Sequence, residues 1–156
     1  MRDAKRLEEL IDAHQDALYR AALAILGDAG EAEDAVQDAF LRCWEKAPDF
    51  ASPDHARAWL LRVTVNGCKS RLRSPWRQRT APLTDAYPAA GPEEQELLEA
   101  VQALPPKDRV VVHLYYYGGY QTAEIAAMTG QRAGTVRARL FRAREKLRQV
   151  LKGEIE

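Results

Sequence analysis

The stretch TAEIAAMTGQRAGTVRARL, residues 122–140, has the form of a helix-turn-helix. It predicts a short first helix over residues 122–128, in which Ala126 lets a second helix approach closely. Gly130 follows where the turn requires a permissive backbone. Val136 then lies inside the second helix and is expected to face the core. This spacing of small, flexible and apolar residues predicts two packed helices joined by a tight turn.

Beyond the turn, the sequence predicts a long basic amphipathic helix. From Arg132 to Lys152 it carries eight Arg or Lys residues and one acidic residue, Glu145. An apolar stripe recurs at intervals of three and four residues: Val136, Leu140, Ala143, Leu147 and Val150. A recognition helix enters the major groove by its N-terminal end, so early residues could read bases and later cations could meet phosphates. These residues alone leave open a basic helix whose charged face is only solvated.

The formal net charge of zero hides an alternation along the chain. Residues 1–54 hold 6 basic and 13 acidic side chains, whereas residues 55–80 hold 7 basic and no acidic ones. Residues 81–108 hold 1 and 6, and residues 109–156 hold 9 and 4. Two basic blocks are therefore each preceded by an acidic one. Such a pattern is typical of a chain that meets a polyanion at two places, although charge can also vary along helical surfaces by chance.

The chain as a whole predicts an all-α protein with two small helical domains. Apolar residues recur at helical spacing in both halves, and no strand alternation stands out. In the first half, three helix faces are expected to turn inward: Leu7, Leu10, Ile11, His14, Leu18, Ala21, Ala22 and Ile25; then Ala32, Ala35, Val36, Ala39, Phe40 and Cys43; then Ala58, Leu61, Val65 and Cys68. Between the halves, residues 74–92 hold four prolines and one glycine without periodicity, which predicts an extended linker. We therefore expect a first domain over residues 1–74, a linker over residues 75–92 and a second domain over residues 93–156.

The expected helix boundaries follow from glycine and proline. In chain order they are a stop at Gly27, a stop at Pro48, a third helix from His55 to about Leu72, a helix start at Pro92, a break and restart at Pro105–Pro106 and a stop at Gly118–Gly119.

Several classes of protein are disfavoured. No window approaches eighteen apolar residues and the N-terminus lacks a signal-peptide pattern, so we expect a cytoplasmic protein without membrane insertion. Cys43 and Cys68 are interpreted as small buried hydrophobes rather than as a disulfide. His14, His55 and His113 stand in no metal or catalytic-triad spacing. We therefore expect no enzyme, no metal and no cofactor.

The longer stretch LPPKDRVVVHLYYYGGYQTAEIAAMTGQRAGTVRARLFRAREKLR, residues 104–148, resembles the promoter-binding C-terminal domain, region 4, of bacterial sigma factors. The resemblance is strongest to the extracytoplasmic-function (ECF) subgroup of the sigma-70 family. Its landmarks are Leu104-Pro105, Arg109, Glu124-Ile125-Ala126, Gly130, Gly134-Thr135-Val136 and Arg142-Ala143-Arg144. One departure is Gln121, where the family usually has a capping Ser; Thr122 is an alternative cap. Glu124 is interpreted as helix-surface or capping chemistry.

The N-terminal half carries an independent resemblance. Residues 30–50, GEAEDAVQDAFLRCWEKAPDF, resemble the region 2 helix of the same family through Ala32-Glu33-Asp34, Gln37-Asp38, Phe40-Leu41 and Trp44. In the family this helix docks on the clamp helices of core RNA polymerase. The residues that the resemblance assigns to this contact are Asp34, Gln37, Asp38, Leu41 and Trp44. Without the resemblance, a solvated acidic helix face would be the simpler interpretation.

The resemblance also implies two DNA-binding sets. For the melted −10 promoter element these are His55, Arg57, Trp59, Arg62, Asn66, Lys69 and Arg71, with Trp59 alternatively a core residue. For the −35 element these are Arg132, Ala133, Thr135, Arg137, Ala138, Phe141 and Arg142. The loop over residues 47–55 is expected to form the wall of a pocket for a flipped base, which costs a few kcal/mol of unstacking.

Two functions remain from the sequence. The first is a sigma factor that binds core RNA polymerase through its clamp helices and flap and directs it to promoters, with an anti-sigma factor as an expected further partner. The second is a stand-alone helix-turn-helix regulator, which would leave the pattern of residues 30–73 unexplained.

Overall fold

The computed structural model describes residues 2–73 and 99–155, with side chains described as far as residue 149. All regular structure in these residues is helical, which confirms the all-α class. The chain divides into two compact units, Met1–Leu83 and Thr84–Glu156. The predicted linker over residues 75–92 and its two boundaries lie outside the described residues.

The first unit contains three helices: α1 (Ala4–Leu26), α2 (Ala29–Lys46) and α3 (Pro53–Leu72). Each starts with a side chain that accepts from the backbone N–H of the first turn, namely Asp3, Asp28 and Ser52. The third helix begins two residues before the predicted His55, because Ser52 caps it and Pro53 occupies the first helical position.

The predicted stop at Gly27 is confirmed. Its φ of 71° is left-handed, and its N–H donates to the carbonyl of Leu23 at 2.8 Å. Asp28 caps α2 immediately afterwards, so α1 and α2 are joined by only two residues.

The core of the first unit is formed by one face of each helix. The predicted faces are largely confirmed, with Leu7, Ile11, Val36 and Ala58 only half-buried. Cys43 and Cys68 are free and fully buried between apolar side chains. Desolvation raises the pKa of both thiols, to about 12 for Cys68, so that neither is a reactive thiolate. The interpretation of both residues as buried hydrophobes is therefore confirmed.

In the second unit, residues 99–102 are helical and the predicted restart occurs at Pro106. The further elements are α4 (Pro106–Val112), a π-helical turn (His113–Tyr117), α5 (Thr122–Thr129) and α6 (Ala133–Ile155). Val101, Leu104, Val112 and Ala143 form a buried cluster with the half-buried Leu147. This cluster holds α6 against α4 and the segment that precedes it.

The π-helical turn was not predicted from the sequence. Gly118 ends it, and a Cβ atom there would lie 2.8 Å from the carbonyl oxygen of Leu114 and from the Tyr120 ring. The close approach therefore requires a glycine here, whereas the backbone does not, since its φ of −78° suits any residue.

The helix-turn-helix is formed as predicted. Gly130 ends α5 with a φ of 70°, and Ala126 and Val136 are buried. The N-cap of α5 is Gln121 rather than Thr122, and the Glu124 carboxylate accepts from the N–H of Gln121 at 3.0 Å. Glu124 thus has the capping role that the sequence suggested.

We predict that the first unit loses stability in mild acid because of His14. Burial lowers the pKa of this imidazole below its ordinary 6.5, and the charges of Arg57 and Arg6 act in the same direction. The unfolded chain then binds more protons than the folded one below about pH 6.5. Stability should be fully present above that pH and should fall as the pH drops through it. Denaturant unfolding of the wild type and of His14→Gln across this range tests the prediction, and the same pH dependence in both would contradict it.

Candidate nucleic-acid and polymerase interfaces

The outer face of α2 carries the residues that the sequence assigns to polymerase. Asp34, Gln37 and Asp38 are exposed and Trp44 is half-buried. Leu41 is 61% exposed, and two of its neighbours along the helix surface, Asp38 and Glu45, are acidic. The structure therefore brings the five predicted residues onto one side of one helix.

An apolar groove of about 650 Å³ runs beside this face, between α1 and α2. Leu41 and Trp44 form part of its wall, and Leu7 and Ile11 of α1 form the other side. The sequence assigned Leu7 and Ile11 to the core face of α1. Their incomplete burial shows that they also extend the exposed apolar surface of α2, which helical periodicity alone does not reveal.

The predicted −10 set divides into two groups on α3. At 100° per residue, His55, Trp59, Arg62, Asn66 and Lys69 fall within an arc of about 80°. Arg57 and Arg71 lie roughly opposite this arc. We call the first five residues the α3 stripe. Asn66 also lies at the rim of a groove of about 870 Å³ between α2 and α3.

Arg71 is engaged by the neighbouring helix. Its Nη2 donates to Asp38 Oδ2 at 2.8 Å, and the two side chains are 28% and 65% exposed. The structure therefore joins one residue assigned to DNA with one assigned to polymerase. Spacing along either helix could not predict this pair, because the residues are 33 positions apart.

The loop between α2 and α3 is folded onto the start of α3. The N–H of Ala51 donates to Nδ1 of His55 at 3.0 Å. The Phe50 ring packs edge-on against His55 at 5.3 Å and against Trp59 at 5.7 Å between centroids. Trp59 is half-buried, between the core and exposed alternatives. Sequence reasoning did not single out Phe50, the residue that ties this loop to α3.

Most of the −35 set lies on the side of α6 that faces away from the core, and Arg132 immediately precedes the helix. Arg132, Arg137, Ala138 and Arg142 are exposed, and Ala133 and Thr135 are half-buried. Phe141 is 65% exposed. A side chain at Gly134 would meet only the end of Arg137, at 3.8 Å, so the first turn of α6 is open to close approach.

Two other arginines of α6 are held by the protein itself. Arg139 Nη1 donates to the buried Asp108 at 3.1 Å, and Arg139 Nε donates to Gln131 at 2.9 Å. Arg144 donates to the hydroxyl of Tyr116, a bond that raises the pKa of Arg144, and lies over the rings of Tyr115 and Tyr116. The basic run of α6 is therefore not one uniform surface.

The residues that the structure describes contain neither a candidate metal site nor a candidate membrane-spanning helix. There, no three His, Cys, Asp or Glu side chains come together in a way that could hold a metal ion. Among the same residues, no helix combines the length and the apolar character needed to cross a bilayer.

Each half of the chain matches a known protein family. Residues 10–78 match Sigma-70 region 2, and residues 94–147 match Sigma-70, region 4. The ECF RNA polymerase sigma factor SigM of Mycobacterium tuberculosis is 34% identical, over 96% of this chain and 79% of that protein. SigL of the same species is 35% identical, over 96% of this chain and 90% of that protein.

Two solved structures are similar to this chain over nearly its whole length. The sigma factor RpoE of Bartonella quintana, solved with the anti-sigma factor NepR, gives a TM-score of 0.79 at 26% identity, over 97% of this chain and 98% of that one. CnrH, solved with the cytosolic domain of CnrY, gives 0.70 at 28% identity, over 97% and 90%. The chain therefore belongs to the sigma-70 family of RNA polymerase sigma factors, in its extracytoplasmic-function group.

Proposed function

We propose that this sigma factor directs core RNA polymerase to promoters through three surfaces on the two units. The outer face of α2 binds polymerase, the α3 stripe and its loop bind the melted −10 element, and the exposed side of α6 reads the −35 element. The observation that carries the proposal is that surfaces of three different chemistries occur on one chain. A stand-alone regulator would use only the last of them.

The α2 face fits a partner that is basic and has an apolar contact point. Leu41 is exposed between Asp38 and Glu45 on the helix surface, and the α1–α2 groove continues the apolar surface beside it. Protein interfaces commonly place apolar contacts at the centre and polar groups at the rim. The clamp helices of polymerase are the proposed partner, and the flap is the proposed partner of the second unit.

The α3 stripe fits a single strand. Arg62 and Lys69 supply positive charge along the backbone, and Asn66 offers hydrogen bonds to a base edge. The loop held by Phe50 gives this surface a fixed wall at the start of α3. We propose that a flipped base lies against this wall. Because Arg71 is paired with Asp38, it is a weaker candidate for a direct contact than the five stripe residues.

The start of α6 fits the major groove. Arg132 and Arg137 can reach guanine edges, and Phe141 can contact a thymine methyl group. The open space at Gly134 removes a steric obstacle to the approach of DNA.

Three further properties are proposed from family membership. The chain has no catalytic activity of its own, since its role is to position polymerase. It acts in the cytoplasm, where polymerase and promoters are found. An anti-sigma factor regulates it, because RpoE of Bartonella quintana is solved with NepR and CnrH with CnrY.

The proposed function is tested by transcription in vitro. We expect the chain to give promoter-specific initiation only when core RNA polymerase is added. The double variant Asp34→Lys with Leu41→Arg should weaken polymerase binding at least tenfold, or about 1.4 kcal/mol, because it reverses charge and removes the apolar contact. Asp16→Lys is the matched control, since this exposed carboxylate lies on α1 away from the groove. Tight, specific promoter binding by the chain without polymerase would contradict the proposed division of roles among the three surfaces.

The arginines of α6 should differ in role according to their position along the helix. Arg137→Ala should cost roughly 1–3 kcal/mol on the preferred promoter and relax specificity at one or two base pairs. Arg142→Ala should weaken binding almost equally on all sequences and reduce the magnitude of the salt slope by about one. Binding of holoenzyme to intact and −35-scrambled promoters at several salt concentrations measures both. If Arg137→Ala lowered both affinities by the same factor, base readout by this side chain would be wrong.

The Asp38–Arg71 pair should contribute little to stability. Because Asp38 is largely exposed, Asp38→Asn and Arg71→Gln should each cost less than about 1 kcal/mol, with a coupling energy in the same range. Denaturant unfolding of both single variants and the double variant measures the coupling. A coupling of several kcal/mol would show instead that the pair holds α2 and α3 together, and binding defects of Asp38 variants would then report on the fold.

A further inference from the structure

Two arginines of α6 lie at equal angles from its apolar stripe. At 100° per residue, Arg139 lies about 70° to one side of the centre of Val136, Leu140, Ala143 and Leu147, and Arg144 lies about 70° to the other side. The exposed members of the −35 set on this helix, Arg137, Ala138, Phe141 and Arg142, are centred on the opposite side. Both arginines therefore project towards the neighbouring elements of the second unit.

Arg139 is the better-buried of the two and has two separate partners. Its contact with Asp108 of α4 joins side chains that are 20% and 6% exposed. Its contact with Gln131 reaches the turn of the helix-turn-helix. Gln131 in turn donates to Thr129 at 2.9 Å, and the Thr129 hydroxyl donates to the carbonyl of Ile125 at 2.7 Å. One hydrogen-bonded chain therefore connects α4, α6, the turn and α5.

This geometry constrains the rotation of α6 about its own axis. The planar guanidinium presents donors in fixed directions, and here Nε and Nη1 are used for partners on different elements. A rotation that kept one bond would break the other. The apolar stripe alone restrains rotation less sharply, since small apolar side chains pack in more than one way.

Arg144 holds the opposite flank. It donates to the Tyr116 hydroxyl, and its guanidinium lies 5.3 Å from the centroid of Tyr115 and 5.6 Å from that of Tyr116. Since Arg144 and Tyr116 are exposed, this contact should be weaker than the buried one at Asp108.

We propose that Arg139 and Asp108 are positioning residues for −35 recognition: together they set the rotation of α6, and Arg139 does not contact DNA despite its place in the basic run. The inference rests on the proposed function of α6. It assigns to Arg139 a role opposite to that expected from its charge, since its loss should affect which bases are read and leave the number of neutralised phosphates unchanged.

The test uses holoenzyme made from core RNA polymerase and the full chain, on a promoter selected by the wild type and on the same promoter with a scrambled −35 element. The variants are Asp108→Ala, Arg139→Gln and Arg139→Lys. Asp108→Ala and Arg139→Gln should each lower the ratio of the two affinities about tenfold, within the range for losing one base contact. The affinity for scrambled DNA and the salt slope should stay unchanged. Arg139→Lys should lower the ratio in the same direction, because a lysine keeps the charge but cannot bond Asp108 and Gln131 together.

The outcomes separate the possible roles of Arg139. A phosphate contact would give a salt slope smaller by about one in Arg139→Gln and restored in Arg139→Lys, which would overturn the inference. An unchanged affinity ratio in all three variants would also overturn it. Arg139→Lys retains a cation beside Asp108, so it keeps the test decisive if the other two variants fold poorly. Arg137→Ala separates failure of this inference from failure of the proposed function. If Arg137→Ala also left the affinity ratio unchanged, the proposed base readout by α6 would be wrong, and not only the positioning role of Arg139.

Discussion

Burial of one narrow apolar stripe on α6 is the constraint on which the second unit depends. Val136, Leu140 and Ala143 are at most 3% exposed, and they hold a helix that is otherwise dominated by cations. Like charges at neighbouring positions repel, so this helix is expected to be weak in isolation. Packing against α4 supplies the stability that the helix lacks. The same packing turns the opposite side outward, so one orientation of α6 sets both its buried side and its exposed side.

Because the apolar stripe is narrow, polar contacts also help to set the orientation of α6. Two charged residues among those described in the second unit are buried and take part in such contacts. Asp108 and Arg109 are 4% and 8% exposed. Asp108 receives Arg139, whereas Arg109 donates to the carbonyl and side chain of Gln102 in the preceding helical segment. Buried charges are costly unless paired, so arrangements in which these two side chains keep their partners are favoured. The resemblance to region 4 marked Arg109 as a landmark, and the structure gives it a role inside the protein.

The sequence was sufficient for features that depend on local spacing. Gly27, Gly130 and the Pro105–Pro106 pair end or start helices where expected, because their backbone preferences act within a few residues. It was insufficient where distant residues meet. Asp38 pairs with Arg71 and Asp108 with Arg139, and neither partner carries a local signal of the other. The exposed side of α6 could be predicted from periodicity, whereas the division of its arginines could not.

Counting cations therefore overstates the charge that α6 can bring to DNA. The guanidinium of Arg139 is paired with Asp108, and Nη1 of Arg148 lies 3.2 Å from Oε1 of Glu145. The guanidinium of Arg144 lies over two tyrosine rings. Counterion release depends on the cations that reach phosphates, so the salt dependence of this helix should correspond to fewer charges than its sequence contains. The basic run then has two functions that composition cannot separate. In the proposed function some arginines meet the promoter, and Arg139 fixes the angle at which they are presented.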